Sequence, residues 1–104
     1  MLHDRRPILG QIVKSKAGHD SGNVFFVVGI SDDNHVLIAD GDRRRIERPK
    51  KKKIRHLQPY NRVNETIAEK LQQGLKIENV ELQKELERSG AIELAVSDLG
   101  GDES

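Results

Sequence analysis

A chain of 104 residues with 35% apolar content has room for one small domain and an appendage, with a thin core. It has no cysteine, which removes disulfides, thiolate metal sites and cysteine nucleophiles and fits a reducing compartment, so the cytoplasm is the expected location. The formal net charge of +1 conceals a division: residues 1–60 carry 13 Lys/Arg against 7 Asp/Glu, net +6, while residues 61–104 carry 5 against 10, net −5. No apolar run approaches the roughly 18 residues of a membrane helix. Arg5 and Arg6 are not followed by the apolar stretch of a secretory signal.

Residues 10–16 (GQIVKSK) read as a short strand with Ile12 and Val13 as its apolar content, and 17–22 (AGHDSG) as a turn-rich loop. Residues 23–30 (NVFFVVGI) carry the strongest strand signal, because Val24, Phe25, Phe26, Val27 and Val28 are all β-branched or aromatic. Asp32-Asp33-Asn34 is a turn and 35–39 (HVLIA) the next strand. Asp40-Gly41 predicts a two-residue type I′ hairpin, which places Arg43, Arg44 and Arg45 on a return strand over 42–47. Pro49 ends that strand, and 53–57 (KIRHL) is a final short strand with Ile54 inward. Short strands joined by tight turns predict a small barrel or sandwich. The run 24–28 is apolar on both faces, so something must cover its outer face, or two chains must pair there.

Beyond Pro59-Tyr60 the pattern becomes helical. Asn64 is an N-cap with Glu65 in the first turn, Ile67 and Leu71 share a face, and Gly74 ends the helix. Asn79 is a candidate cap for a second helix, in which Leu82 and Leu86 share a face and Glu81–Lys84 and Glu85–Arg88 are favourable pairs, with Gly90 as the stop. The expected organisation is a β-barrel over 1–60, an acidic helical appendage over 61–96 and a disordered tail over 97–104.

The densest charge lies in residues 43–55, RRRIERPKKKKIR. Nine of these thirteen are basic: Arg43, Arg44, Arg45, Arg48, Lys50, Lys51, Lys52, Lys53 and Arg55. Like charges this close repel, and a polyanion relieves them while releasing its own condensed counterions. A solvated basic loop and a nuclear-localisation signal are the competing readings. Catalysis has little support. His19, Asp20 and Ser21 are adjacent and cannot line up as a hydrogen-bonded relay, and His3, His19, His35 and His56 are too scattered for a metal pair. No glycine-rich phosphate loop opens a helix. No enzyme activity, cofactor, metal or small-molecule substrate is therefore expected.

The aromatic residues are only Phe25, Phe26 and Tyr60, too few for the exposed row that reads single strands by stacking. Tyr60 and His56 are candidates either to stack a single base at the barrel's end or to pack against the first helix. The expected partner is thus structured RNA, recognised through phosphates and 2′-hydroxyls. Arginines on a strand would position it with paired donors, and Lys50, Lys51, Lys52 and Lys53 after Pro49 would supply flexible reach.

Residues 10–22 (GQIVKSKAGHDSG) followed by 23–30 (NVFFVVGI) resemble a KOW motif, with Gly22 at the position of its characteristic glycine. With VLIADG at 36–41 and the basic stretch, residues 8–58 are similar to short bacterial KOW-domain proteins and to KOW-containing large-subunit ribosomal proteins of archaea and eukaryotes. The resemblance implies a mainly β fold, a small Src-homology-3-like barrel followed here by two C-terminal α-helices, that binds ribosomal RNA in translation. Family members often carry Lys or Arg in the loop after the first strand. Here only Lys14, Lys16 and His19 are available, and Asp20 intervenes. The expected RNA-binding set is therefore Lys14, Lys16 and the nine basic residues of 43–55. Ribosomal proteins are a further class of partner. The alternative is a protein-binding KOW adaptor on the transcription or translation machinery that makes contact through its acidic helices.

Overall fold

The computed structural model describes residues 6–90, so the tail expected over 97–104 lies outside the described residues. Five strands form one antiparallel sheet: β1 (Gln11–Ser15), β2 (Val24–Asp32), β3 (His35–Ala39), β4 (Lys50–Lys53) and β5 (Leu57–Val63), in the spatial order β4-β3-β2-β1-β5. A single 3-10 turn, Ile54–His56, joins β4 to β5, and two helices follow, α1 (Glu65–Gln73) and α2 (Asn79–Arg88). The chain is a small, mainly β, barrel-like domain with two C-terminal helices. No helix among the described residues is long and apolar enough to cross a membrane.

The double-sided apolar run in β2 divides between two cores. Phe25 and Val27 turn to one side and pack with Val13, Val36, Ile38 and Leu57 in the barrel interior. Phe26 turns to the other and packs with Ile12, Ala39, Ile67, Ile77, Leu82 and Leu86, with Val24 and Val28 at the margin. Cross-strand register explains the division: Ile12 lies opposite Phe26 and Val13 opposite Phe25, so period-2 alternation sends each pair to its own face. The cover predicted for the outer face is thus supplied by α1 and α2. Asn64 caps α1, its Oδ1 accepting from the Ile67 N–H at 3.0 Å, and Gly74 ends it with φ 71°.

Three expectations fail. The residues after Ala39 do not turn back as a two-residue hairpin. The Asp40 carboxylate accepts from the backbone N–H of Asp42 (3.0 Å) and Arg44 (2.9 Å), which opens a wide loop over 40–49. Consequently Arg43, Arg44 and Arg45 lie in a loop, while Lys50–Lys53 is the strand, paired with β3 from Ile38↔Lys50 to His35↔Lys53. The lysines sit on an edge strand, where exposed charge also guards against edge-to-edge association. Second, residues 53–57 are not a strand of their own: Lys53 ends β4, Ile54–His56 is the 3-10 turn, and the last strand begins at Leu57 and passes through Pro59, tolerated because β5 is also an edge. Third, Asn79 is the first residue of α2 and not its cap; Glu78 occupies the cap position, and the Asn79 side chain is used elsewhere.

Gly41 shows how closely the loop approaches α2. It has φ +85°, and a Cβ placed there would stand 2.3 Å from the backbone oxygen of Asn79. Gly41→Ala is expected to lower stability by about 1–3 kcal/mol, since both the left-handed backbone and the close contact oppose a side chain. Thermal unfolding checks this, and an unchanged midpoint would refute the tight contact.

Candidate nucleic-acid interface

The loops over 16–23 and 40–49 leave the same end of the sheet, because Lys14 pairs with Val24 and Ile38 with Lys50. A charged contact joins them. Asp20, only 5% exposed, accepts through Oδ2 from Arg44 Nε at 3.1 Å and Nη2 at 2.9 Å. A carboxylate this buried is tolerated because it is paired, and the pairing consumes the Arg44 charge. Asp20 is thus the fixed point that orients the arginine loop, a role its position in a turn-rich sequence did not signal.

Two lysines of the predicted binding set are buried. Lys52 is 8% exposed and its ammonium donates to the Ala17 carbonyl at 2.8 Å, so it ties the edge strand β4 to the β1–β2 loop. Lys14, in the middle of β1, is 9% exposed. The expectation of flexible lysine reach after Pro49 is corrected accordingly: Lys50, Lys51 and Lys53 are exposed but stand on a hydrogen-bonded strand, and Lys52 points away from solvent.

The remaining members are exposed: Lys16, Arg43, Arg45, Arg48, Lys50, Lys51, Lys53 and Arg55. Two of these have acidic neighbours, Arg45 with Glu47 at 3.5 Å and Lys51 with Asp32 at 3.8 Å. Exposed pairs of this kind contribute little, so a polyanion can displace them at small cost. The other six have no acidic partner within 4.0 Å among the described residues. The basic surface therefore has two parts, the tip of the 40–49 loop and the outer positions of β4, which follow one another in the chain.

A further basic group gathers where the 3-10 turn meets β1. The Lys16 N–H donates to the His56 carbonyl at 2.8 Å. Partial burial and the charges of Arg55, Lys53, Lys52 and Lys16 hold the His56 imidazole below its ordinary pKa. An imidazole surrounded by cations marks a place where an anion is favoured.

The arginine loop is also held from the helical side. Asn79, 8% exposed, accepts from the Ile46 N–H at 2.8 Å and donates to both carboxylate oxygens of Glu47, at 3.0 and 2.9 Å. That donation, with the Glu47 backbone N–H and the nearby Arg45, keeps the Glu47 carboxyl below the usual range. Gln83 donates to the Gly41 carbonyl at 2.7 Å. Both contacts span more than thirty residues, so no local pattern announces them.

No protein-family model matches the chain. The chain is 32% identical over 72 residues to a protein of Bacillus subtilis (strain 168) described as "Putative ribosome-binding protein YbzG", a match that takes in 69% of this chain and 97% of that relative.

Proposed function

Since the chain belongs to the family of the Bacillus subtilis protein YbzG, we propose that it associates with the ribosome by binding structured ribosomal RNA through its basic loop and edge strand. The observation that carries this reading is the exposed cationic surface of Arg43, Arg45, Arg48, Lys50, Lys51 and Lys53, largely uncompensated and fixed on ordered backbone. The ribosome-binding description of the relative supports the ribosome as the place where the RNA is met. The barrel and the Gly22 turn support the KOW reading: Gly22 has φ +90°, and its N–H closes the loop on the Ser15 carbonyl at 2.8 Å.

Recognition rests on phosphates and on shape. Phe25 and Phe26 are both fully buried and stack no base; Tyr60, partly buried, packs at the margin of the outer core, and the ring proposed to meet a base beside the cationic cluster is the partly buried His56. Guanidinium groups on the loop engage phosphate with paired donors, and ammonium groups on β4 add point charge along the backbone. The protein is a binding module without catalytic chemistry and works in the cytoplasm. Co-sedimentation with ribosomes tests the association: the protein is expected to pellet at low salt and to be released at high salt. Pelleting that persists at high salt would instead favour the protein-adaptor reading, in which the acidic helices make the contact.

His56 gives this reading a pH dependence. Burial depresses the imidazole pKa and the neighbouring cations depress it further; a phosphate set among Lys16, Lys53 and Arg55 offsets that second part, so RNA binding draws a proton onto His56. Affinity should rise as pH falls from about 7.5 to 5.5, through the ordinary histidine value of about 6.5. Stability moves the other way. The depressed value in the folded protein means the unfolded chain takes up the proton more readily, so stability is lost as pH falls below about 6.5. RNA titrations at the two pH values, repeated with His56→Gln, check this; an equal pH response in the variant would remove His56 from the interface.

A further inference from the structure

The arginine loop is the part of the basic surface with no ladder of its own. From Asp40 to Pro49 it is bends and turns, and a free loop of this length would have to lose conformational entropy before its arginines could act together. Its order comes partly from the Asp40 carboxylate, which holds the Asp42 and Arg44 N–H groups, and partly from outside the loop. Asn79, at the first residue of α2, holds Ile46 and Glu47 with three hydrogen bonds, and Gln83, one turn later, holds Gly41. The two grips bracket Arg43, Arg44 and Arg45. Between them, the backbone of Asn79 packs so closely on Gly41 that no side chain fits there.

We propose that Asn79 and Gln83 are positioning residues for the basic loop: the first turns of the acidic helix α2 hold Arg43 and Arg45 in the arrangement that meets RNA phosphates, although α2 itself contributes no cation to the contact. The proposal rests on the RNA-binding reading above. It gives the acidic half of the chain a part in RNA recognition beyond covering the core. Glu47 gains a role as well. A carboxylate within a cationic surface opposes RNA binding, but here both of its oxygens accept from the Asn79 amide, and this makes Glu47 the tether that closes the far end of the loop. Preorganisation of this kind raises affinity by removing the ordering cost from the binding step.

The amide–carboxylate pair can be exchanged without changing net charge. Asn79→Asp keeps the acceptor for the Ile46 N–H but places two carboxylates together and opens the loop. Adding Glu47→Gln restores a donor facing an acceptor and returns the net charge to that of the wild type. Thr66→Glu, on the exposed side of α1, is the control for one added negative charge. Binding of the full chain to purified structured ribosomal RNA at fixed salt is the readout, with thermal unfolding beside it. Asn79→Asp is expected to weaken binding about tenfold more than Thr66→Glu, and the double variant to recover to within about twofold of wild type. Gln83→Ala, a change at an exposed position, should keep the fold and weaken binding as well. A folded double variant as weak as Asn79→Asp, or Asn79→Asp binding like Thr66→Glu together with Gln83→Ala binding like wild type, would overturn the positioning role. Wild type failing to bind the RNA at all would defeat the RNA reading itself, so the two failures are told apart.

Discussion

Cutting the chain after Val63 is expected to make the protein aggregate. The cut falls there because β5 runs through Val63 and still pairs with Gln11. What it removes is Ile67, Ile77, Leu82 and Leu86, the partners of Ile12, Phe26 and Ala39 on the outer face of the sheet. Phe26, fully buried in the whole protein, would face water beside Val24 and Val28. A β-rich apolar strand with that much open surface is a template for association. The same interface can be tested in the full chain. Leu82 is fully buried, and Leu82→Ala should cost about 2–5 kcal/mol, a large share of the roughly 5–15 kcal/mol available to a small domain. Denaturant titration measures the second effect and light scattering the first. A truncated barrel that stays monomeric and folded would show that the helices are not needed as a cover.

Neutralising the exposed cations is the second large effect. Replacing Arg43, Arg45, Arg48, Lys50, Lys51 and Lys53 by Gln should reduce affinity for structured ribosomal RNA by about a hundredfold or more at moderate salt, because each lost phosphate contact also forfeits counterion release. Stability should change little, since these side chains are exposed and those that pair do so near the surface. Lys52→Met provides the contrast. It removes the ammonium that caps the Ala17 carbonyl, so it should lower stability by about 1–3 kcal/mol and leave the salt dependence of binding unchanged. If Lys52→Met reduced the salt dependence as much as an exposed lysine, the assignment of roles within the lysine run would be wrong.

The division within that run marks the boundary of what the sequence discloses. The unbroken apolar run of residues 24–28, where a half-exposed strand would alternate, implied that both faces are covered, and Phe25 and Phe26 are buried on opposite sides. Asn64 and Gly74 act as the cap and stop that local chemistry predicts. Local signals misled where distant groups decide. Asp40-Gly41 is a strong hairpin dipeptide, but the Asp40 carboxylate binds two backbone N–H groups ahead of it, and α2 grips the loop from more than thirty residues away. Four consecutive lysines have poor strand propensity, and only the edge position next to β3 lets them form one. Burial divided the predicted binding set for the same reason. Nothing in the local sequence distinguishes Lys52 from Lys51, and the side to which each points follows from the register with β3.

The most direct test of RNA as the partner is the affinity of the wild-type protein for purified structured ribosomal RNA across a salt series. With about five phosphates neutralised, log K should fall linearly with log salt at a slope of roughly −4, and the six-fold neutralised variant should flatten that slope. Weak binding without a salt slope, or the same slope in both proteins, would mean that the basic loop and edge strand are a solvated surface and that the acidic helices must be searched for a protein partner.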